Sequence, residues 1–425
     1  MPEYLKRPEA QPPEIAESVR TTVSEILLSV EREGLAAVRR YSEKLDDWNP
    51  PSFRVSDAQI DHAATQIDDT LRGHIEFSQA QVRGFAQLQR DALVDFERET
   101  LPGVTLGQKQ IPVANVGSYS PGGRYPMLAS SIMTVAVPKV AGVPRVVAIA
   151  PPRQGGGIHP PQLFAMATSG ADEIWCIGGV QGLAALAFGI EGLDPVDLLV
   201  GAGNQFVAEA KRQLFGVVGI DLLAGPTEIL ILADDSTDPD LLAVDLLGQA
   251  EHGANSPTWL ATTSRGLAEA TIQAVEARLE TWPTAEVAGQ AWRERGVVML
   301  CADDEEMVRV SDQYAPEHLE VQTEDPDWFL QRLANYGSLF LGQEATVAYG
   351  DKGVGTNHVL PTERAARYTG GLWAGKFLKT VTYQRLTEEG TRQVAPSIAA
   401  ICDAELMLGH AVTARHRLER LGAAV

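Results

Sequence analysis

Residues 173–188 of the chain read EIWCIGGVQGLAALAF. The first part, Glu173–Ile177, has the length and apolar character of a buried strand; a Gly-Gly pair ends it, and Ala184–Phe188 continues with helix-forming residues. The same alternation recurs on both sides of this segment, which predicts a mostly parallel sheet with helices on both faces. The strand-type runs are Val146–Ala150, Glu173–Ile177, Leu198–Val200, Val217–Leu223, Glu228–Ala233 and Trp259–Thr262, with helical segments at Leu163–Ala167, Ala184–Phe188 and Val207–Leu214.

The rest of the chain extends this pattern to an α/β fold with two doubly wound, Rossmann-like domains. Val297–Leu300 and Ser338–Leu341 supply strands for the second α/β unit. Apolar residues at helical spacing begin at Val19, and Ala400–Val425 has the pattern of a helical tail. We predict a helical N-terminal region (residues 1–110), two α/β domains (111–235 and 236–385) and a helical C-terminal tail (386–425).

The composition limits the class of protein. The chain has 425 residues, of which 44% are apolar and 21% charged, as in soluble globular proteins of two or more domains. Its formal net charge of −21 repels nucleic acid and anionic lipid, so we expect neither nucleic acid nor a membrane as a partner. The three cysteines form no spacing motif and the N-terminus lacks the apolar core of a secretory signal, which indicates a cytoplasmic protein.

Four of the eight histidines lie beside carboxylates, glycines or prolines in segments far apart in sequence. Such a collection suits a divalent metal ion together with a general acid/base pair, and therefore an enzyme. The segments are Gly248–His252, Ala315–His318, Gly350–His358 and Glu405–His410.

Gln249 and His252 are the first candidate pair. They lie three residues apart at the end of an apolar helical run, Leu241–Leu247, and this spacing places both side chains on one helix face, where they could bind one metal ion. The alternative is a helix-end histidine that interacts with the helix dipole.

Glu317 and His318 are a candidate proton-transfer pair on a proline-bounded turn. Imidazole titrates near neutrality, and burial raises the pKa of a glutamate toward the same range. The alternative is a solvated pair on a loop. Asp351 lies in a loop with three glycines that would allow close approach to a ligand, although Asp and Gly are also common turn formers. His358, after Asn357, is more typical of a site than of a turn.

Two further motifs are weaker. Gly201–Phe206 follow a strand-type run and open a helix, as a dinucleotide-binding loop does, but Phe206 replaces the third glycine. Cys176 lies within an apolar strand, so a buried inert thiol is favoured over a nucleophile.

Together these segments resemble the histidinol dehydrogenase family, over about Val19–Leu418. The resemblance implies a zinc-containing, NAD-dependent homodimer that oxidises a primary alcohol through an aldehyde to a carboxylate by two hydride transfers. The C-terminal tail of each subunit would complete the partner's site. The matching stretches are Tyr119–Gly123, Gly201–Gln205, Ala224–Glu228, Gly248–Gly253, Tyr314–Leu319 and Gly355–Thr362.

The resemblance also implies roles for individual residues. His318 would take the alcohol proton, and Glu317 would activate the water that attacks the aldehyde. The first α/β domain would be the NAD side, and the second would carry the metal and acid/base residues. The ligands of one zinc ion per subunit would be Gln249, His252, Asp351 and His410, which suit zinc because it accepts both nitrogen and oxygen. The NAD contacts would be Tyr119, Gln181 and Asn204.

Departures from the histidine-biosynthetic members bear on the substrate. Thr227 replaces their serine. Arg124 lies where those enzymes have a longer insert of small residues, and Arg367 lies where they have a serine- and glycine-rich segment. Arginine suits an anionic head group better than cationic histidinol. The pattern resembles the paralogous sulfopropanediol dehydrogenases, which oxidise 2,3-dihydroxypropane-1-sulfonate to 3-sulfolactate. The expected substrate-binding residues are Thr227, His358, Glu405, Arg124 and Arg367.

Other interpretations stay open at this point. The retained Glu405 favours oxidation of L-histidinol to L-histidine, and the arginines could be surface residues or contacts to the cofactor phosphates. Without the resemblance, a non-catalytic protein that binds NAD or a metal, or a zinc hydrolase, would also fit the motifs.

Overall fold

The computed structural model describes residues 2–8, 17–123 and 125–422. The strands in these residues form sheets of six, five and three strands. They are β1 (Glu3–Lys6), β2 (Phe96–Leu101), β3 (Val104–Pro112), β4 (Asn115–Tyr119), β5 (Arg145–Ala150), β6 (Glu173–Cys176), β7 (Leu198–Val200), β8 (Gly219–Ile220), β9 (Ile229–Ala233), β10 (Thr258–Thr262), β11 (Val297–Leu300), β12 (His318–Gln322), β13 (Ser338–Leu341) and β14 (Leu378–Leu386).

The helices connect and cover these strands. They are α1 (Glu17–Glu33), α2 (Leu35–Asp46), α3 (Asp57–Thr65), α4 (Asp69–Asp91), α5 (Leu128–Ala141), α6 (Pro160–Ser169), α7 (Gly179–Phe188), α8 (Gln205–Leu214), α9 (Pro239–Ala250), α10 (Arg265–Leu279), α11 (Ala285–Arg295), α12 (Asp304–Tyr314), α13 (Pro326–Leu330), α14 (Val347–Lys352), α15 (Glu388–Ala404) and α16 (Leu408–Arg420). Short 3-10 turns lie at Ala365–Arg367 and Ala374–Phe377.

The five-stranded sheet is a doubly wound parallel sheet in the order β6-β5-β4-β7-β8. Side chains alternate between its faces, so Val147 and Ile149 pack in the core with α1, α7 and α8, whereas Val146 and Ala148 pack with α5 and α6. The order reverses between β4 and β7, which is where such folds bind ligands. Gly201 lies at this point, directly after β7. Its φ is 120°, and a Cβ there would lie 2.1 Å from the Tyr119 carbonyl oxygen, so the position requires glycine.

The six-stranded sheet repeats the same winding. Its order is β1-β11-β10-β9-β12-β13, and every pair is parallel except β1 with β11. The α/β class predicted from the sequence is therefore confirmed. The strand Ile229–Ala233 lies at the centre of this sheet, so its grouping with residues 111–235 is corrected, because its hydrogen bonds run to β10 and β12. The other predicted domain limits stay predictions.

A three-stranded antiparallel sheet joins two segments that lie far apart in the chain, residues 96–112 and 378–386. Its order is β14-β3-β2, and β14 pairs along its whole length with β3. Because β1, β2 and most of β3 lie before residue 111, the expected helical N-terminal region also contains strands. The pairing of β14 with β3 joins strands that are far apart in sequence, so no local sequence pattern predicts it.

The C-terminal helices α15 and α16 pack on each other through a small core of Ala395, Ala399, Ala414 and Leu418. Large apolar side chains remain exposed on this hairpin, including Leu406, which is 82% exposed, and Leu408 and Val412. Within the described chain, no helix combines the length and apolar character needed to span a membrane.

Candidate functional site

The candidate site lies at the amino ends of the central strands of the six-stranded sheet. Thr227 and Glu228 directly precede β9, and Glu317 directly precedes β12, the strand beside it. Gln249 lies in the last turn of α9, whose end returns to the same edge. Residues 221–228 connect the carboxyl end of β8, in the five-stranded sheet, to the amino end of β9. The site therefore forms where the carboxyl edge of one sheet meets the amino edge of the other.

Glu317 is held by two hydrogen bonds on one oxygen. The Thr227 hydroxyl donates to Glu317 Oε2 at 2.5 Å, and the backbone N–H of Glu228 donates to the same atom at 3.0 Å. The side chain is buried, at 5% exposure, so these donors replace water around a carboxylate. Both of these hydrogen bonds fall on Oε2, so neither donor occupies the other oxygen.

His318 is the first residue of β12, not part of a turn as expected, and it is buried. Its Nδ1 lies 3.0 Å from the Glu228 carbonyl oxygen, which only accepts hydrogen bonds, so Nδ1 carries a proton. Burial lowers the pKa of His318, but the carboxylates of Glu317 and Asp351 together raise it well above its usual value.

The Nε2 atom of His318 is on the opposite side of the ring from the Glu228 carbonyl. It is buried and has no hydrogen-bond partner among the described residues, although Asp351 Oδ1 lies 3.4 Å away. A buried ring nitrogen without a partner is costly in an isolated protein, which indicates that a ligand satisfies it. This nitrogen can hold or release a proton inside the site.

Gln249, His252 and Asp351 meet beside this ring. Gln249 Nε2 donates to Thr227 Oγ1 at 2.7 Å, so its Oε1 is the atom available to a cation. The 3.3 Å contact between Gln249 Nε2 and His318 Nδ1 joins two donors and is not a hydrogen bond in this protonation state. His252 Nε2 lies 4.0 Å from Asp351 Oδ2.

The protonation states of these groups suit metal binding. Burial is the largest cause that lowers the pKa of His252, which favours the neutral imidazole. Burial raises the pKa of Asp351, but the nearby imidazole of His318 outweighs it, and the net pKa is lowered. His252 lies in the turn just after α9, and Asp351 lies in α14 rather than in a loop. An amide oxygen, a neutral imidazole and a carboxylate form a donor set that zinc accepts.

His358 lies behind Asp351. Its Nδ1 donates to the Asp351 carbonyl oxygen at 3.1 Å, so its Nε2 accepts from the Ser130 hydroxyl at 2.8 Å. Ser130 lies in the first turn of α5, which follows β4. The interaction therefore joins the helix after β4 of the five-stranded sheet to the segment that carries Asp351.

The predicted cofactor residues lie at the carboxyl edge of the five-stranded sheet. Tyr119 ends β4, Gln181 lies in the first turn of α7, and Asn204 caps α8 by accepting from the N–H groups of Phe206 and Val207. Burial raises the pKa of Tyr119 to about 12, so it stays a neutral phenol. Burial likewise raises the pKa of Cys176 to about 12, as expected for an inert thiol.

The remaining predicted residues are not brought to this site by the single chain. Glu405 and His410 are exposed on the C-terminal hairpin. Among the described residues no three His, Cys, Asp or Glu side chains cluster as metal ligands, so His410 does not join His252 and Asp351 within one subunit. Arg367 is exposed, with Nε donating to the Arg364 carbonyl oxygen. Arg124 lies outside the described residues.

Two residues of the site were missed in the sequence. Glu228 holds Nδ1 of His318 through its carbonyl, and burial, with the nearby charge of Glu317, raises the pKa of its own carboxyl to about 8. Its place directly after Thr227 was the available signal. Ser130 had none, because its partner His358 lies 228 residues away.

Comparisons with known proteins agree on one family. A sequence model described as histidinol dehydrogenase matches residues 9–418. A histidinol dehydrogenase homolog of Shouchella clausii is 50% identical, covering 99% of this chain and 100% of its own length. Sulfopropanediol 3-dehydrogenase of Ruegeria pomeroyi is also 50% identical, over 98% of this chain and 96% of its own. The crystal structure of histidinol dehydrogenase from Elizabethkingia anophelis superposes with a TM-score of 0.92 at 31% identity, covering 97% of this chain and 95% of its own.

Proposed function

Because the chain belongs to the histidinol dehydrogenase family, we propose that it is a zinc- and NAD-dependent dehydrogenase that converts a primary alcohol, through an aldehyde, to a carboxylate. The observation that carries this proposal is the buried pair of Glu317 and His318 beside three candidate metal ligands. His318 presents an unpartnered nitrogen, and Glu317 presents one free carboxylate oxygen, so two different proton carriers face one small space.

The donor set fits the proposed metal. Gln249 Oε1, His252 Nε2 and one oxygen of Asp351 would hold the ion from the edge of the six-stranded sheet. When bound, zinc would hold and polarise the alcohol oxygen, and NAD would accept the hydride. The hydrogen bond from Gln249 Nε2 to Thr227 Oγ1 orients the Gln249 side chain. Such contacts to a metal ligand set its orientation before the metal binds.

His318 serves as the base for the alcohol in this proposal. Nε2 accepts the hydroxyl proton, while the Glu228 carbonyl holds Nδ1–H and so fixes both the ring orientation and the tautomer. In the metal-free chain the carboxylates raise the pKa of His318 and favour its protonated form; a cation held by Asp351 would offset this charge and favour the neutral ring that accepts the proton.

Glu317 serves as the base for water in the second half of the reaction. The Thr227 hydroxyl and the Glu228 N–H fix one oxygen, so the other can take a proton from the water that attacks the aldehyde carbon. Glu317 and His318 are adjacent in the chain, so the same buried edge of the six-stranded sheet would supply the base for each of the two oxidations.

We propose that the fourth metal ligand, His410, comes from a second subunit, together with Glu405. Both residues are exposed on the helical hairpin whose apolar side chains are uncovered in one chain. A homodimer in which each hairpin packs on the partner would bury those side chains and bring His410 to the partner's Gln249, His252 and Asp351.

The substrate we favour is 2,3-dihydroxypropane-1-sulfonate, oxidised to 3-sulfolactate. The support is the 50% identity with the sulfopropanediol 3-dehydrogenase of Ruegeria pomeroyi, compared with 40% for a histidinol dehydrogenase of the same organism. Arg124 and Arg367 are the proposed partners of an anionic head group. L-Histidinol is the second candidate, because Glu405 suits its ammonium group.

The test is NADH production by the zinc-loaded protein with L-histidinol and, separately, with racemic 2,3-dihydroxypropane-1-sulfonate. Turnover of the sulfonate alone supports the favoured substrate, and turnover of histidinol alone replaces it with the second. If neither alcohol yields NADH while zinc and NAD both bind, both substrate assignments are wrong.

A further inference from the structure

Helix α2 ends with a carboxylate at the carboxyl edge of the five-stranded sheet. Asp46 is the last residue of α2, Asp47 follows in a left-handed conformation with φ 49°, and the chain then turns into Trp48. The Trp48 indole donates to the carbonyl oxygen of Cys176, the last residue of β6, at 3.0 Å. This bond, and the pairing of the Cys176 N–H with the Phe53 carbonyl oxygen at 2.8 Å, fix the end of α2 against the sheet.

This carboxylate is held in an unfavourable place. It lies at the negative end of a helix dipole, where cations rather than anions are stabilised. No lysine, arginine or histidine in the described part of the chain pairs with Asp46, which is half-buried and receives one hydrogen bond, from Gln181 Nε2 to Oδ2 at 2.8 Å. Burial raises the pKa of Asp46, and the bond from Gln181 only partly opposes this. A group that costs stability in the isolated protein is expected at a ligand site.

Asp46 lies where a dinucleotide-binding sheet usually has a carboxylate that binds the ribose. In such sheets a carboxylate near the end of the strand beside the first one binds the ribose hydroxyls. Here β4 is the first strand and β5 its neighbour, but β5 is followed by Pro151, which has no such group. Asp46 fills this place from another element: a Cβ on Gly178 would lie 2.6 Å from Pro151 Cβ and 3.2 Å from Asp46 Oδ2.

A second atom at this place lacks a partner. Gln181 is 1% exposed, and its Oε1 has no hydrogen-bond partner in the described structure, although its Nε2 is bound to Asp46. A buried amide oxygen without a donor is rare in native proteins. A hydroxyl that approached Asp46 would also be within reach of the Gln181 amide, so both groups indicate the same kind of ligand.

We propose that Asp46 is a specificity-determining residue that accepts hydrogen bonds from the adenosine ribose hydroxyls of NAD and rejects the 2′-phosphate of NADP. The inference rests on the proposed function, since it concerns the cofactor of that reaction. The carboxylate gains hydroxyl donors when NAD binds, and charge repulsion opposes a phosphate at the same place. Discrimination between the two dinucleotides is thus assigned to a helix outside the α/β unit that binds them.

The test is calorimetric titration of the purified full-length protein with NAD and with NADP, for the wild type, Asp46→Asn and Asp47→Asn. Asp47 is exposed and adjacent, so its variant removes the same charge from the same helix end. We expect Asp46→Asn to weaken NAD binding by about 10-fold and to reduce the preference for NAD over NADP, as loss of a hydrogen bond to a charged group implies. Asp47→Asn should bind both dinucleotides as the wild type does.

Thermal unfolding separates this role from a structural one. Asp46→Asn should unfold at the wild-type temperature or above, because it removes an anion from the helix C-terminus. Equal effects of the two variants on NAD binding, or an unchanged NAD/NADP ratio in a folded Asp46→Asn protein, would overturn the assignment of Asp46. If the wild type binds neither dinucleotide, the proposed cofactor fails as well.

Discussion

The hydroxyl of Thr227 joins the candidate base Glu317 to the candidate metal ligand Gln249. It donates to Glu317 Oε2 at 2.5 Å and accepts from Gln249 Nε2 at 2.7 Å. One hydroxyl can do both at once because its proton points to the carboxylate and its lone pair faces the amide. The orientations of the metal ligand and the base are therefore coupled.

Replacing Thr227 tests this coupling. Thr227→Val keeps the shape and removes the hydroxyl, so we expect kcat/KM to fall by about 10- to 100-fold, as expected for the loss of hydrogen bonds to a charged group. Thr227→Ser retains the hydroxyl and should keep most activity. Steady-state kinetics and zinc content would be measured for both, and equal activity of the two variants would show that the hydroxyl is dispensable.

Removing the imidazole of His252 tests the metal site. We expect His252→Ala to lose bound zinc and activity together, because the three remaining proposed ligands hold the ion less tightly than four. Zinc per subunit would be measured after dialysis, alongside turnover. His62→Ala is the control, since His62 is exposed on α3. Full zinc content in His252→Ala would remove His252 from the ligand set.

Glu317→Gln separates the two oxidations. The amide oxygen can still accept from Thr227 and from the Glu228 N–H, but it no longer takes a proton from water. The variant should keep zinc, complete the first oxidation and stall at the aldehyde. Turnover of the aldehyde, supplied directly, is the measurement; a wild-type rate would show that another group activates the water.

Mixed dimers test the origin of His410. In a heterodimer of His252→Ala and His410→Ala subunits, sharing of ligands between subunits leaves one site with both histidines. Such a heterodimer should have about half of the wild-type activity, although each homodimer is inactive. Differently tagged subunits would be co-expressed and purified in tandem. An inactive heterodimer with folded subunits would place all ligands within one chain.

The carboxyl of Glu228 makes the free energy of unfolding depend on pH. Burial raises its pKa from 4.5 to about 8, so the folded protein holds this proton more tightly than the unfolded chain. Its favourable contribution is present below pH 4.5 and is lost as the pH rises toward 8. In metal-free protein, Glu228→Gln should thus gain stability relative to the wild type between pH 5 and pH 8, as measured by urea unfolding. The exposed Glu191→Gln serves as control, and parallel pH profiles for all three proteins would contradict the expectation.

The sequence by itself determined the α/β class and several strands to the residue, including Leu198–Val200, Val297–Leu300 and Ser338–Leu341. Leu198–Val200 and Val297–Leu300 are buried on both faces, so their apolar composition is a local signal that does not depend on tertiary information. Motifs such as Gly248–Gly253 likewise identified the family, which the comparisons confirm. The metal, proton-transfer and cofactor roles of individual residues remain predictions.

Only the tertiary structure decided which groups meet. Ile229–Ala233 looks like any buried strand in sequence, but its pairing with β10 and β12 assigns it to the second sheet and places Thr227 and Glu228 at an amino edge. The partners of His318, Gln181 and His358 lie 90, 135 and 228 residues away. Local patterns report burial and backbone preference, whereas these contacts depend on how separate elements pack. Their geometry was therefore beyond what the sequence could specify.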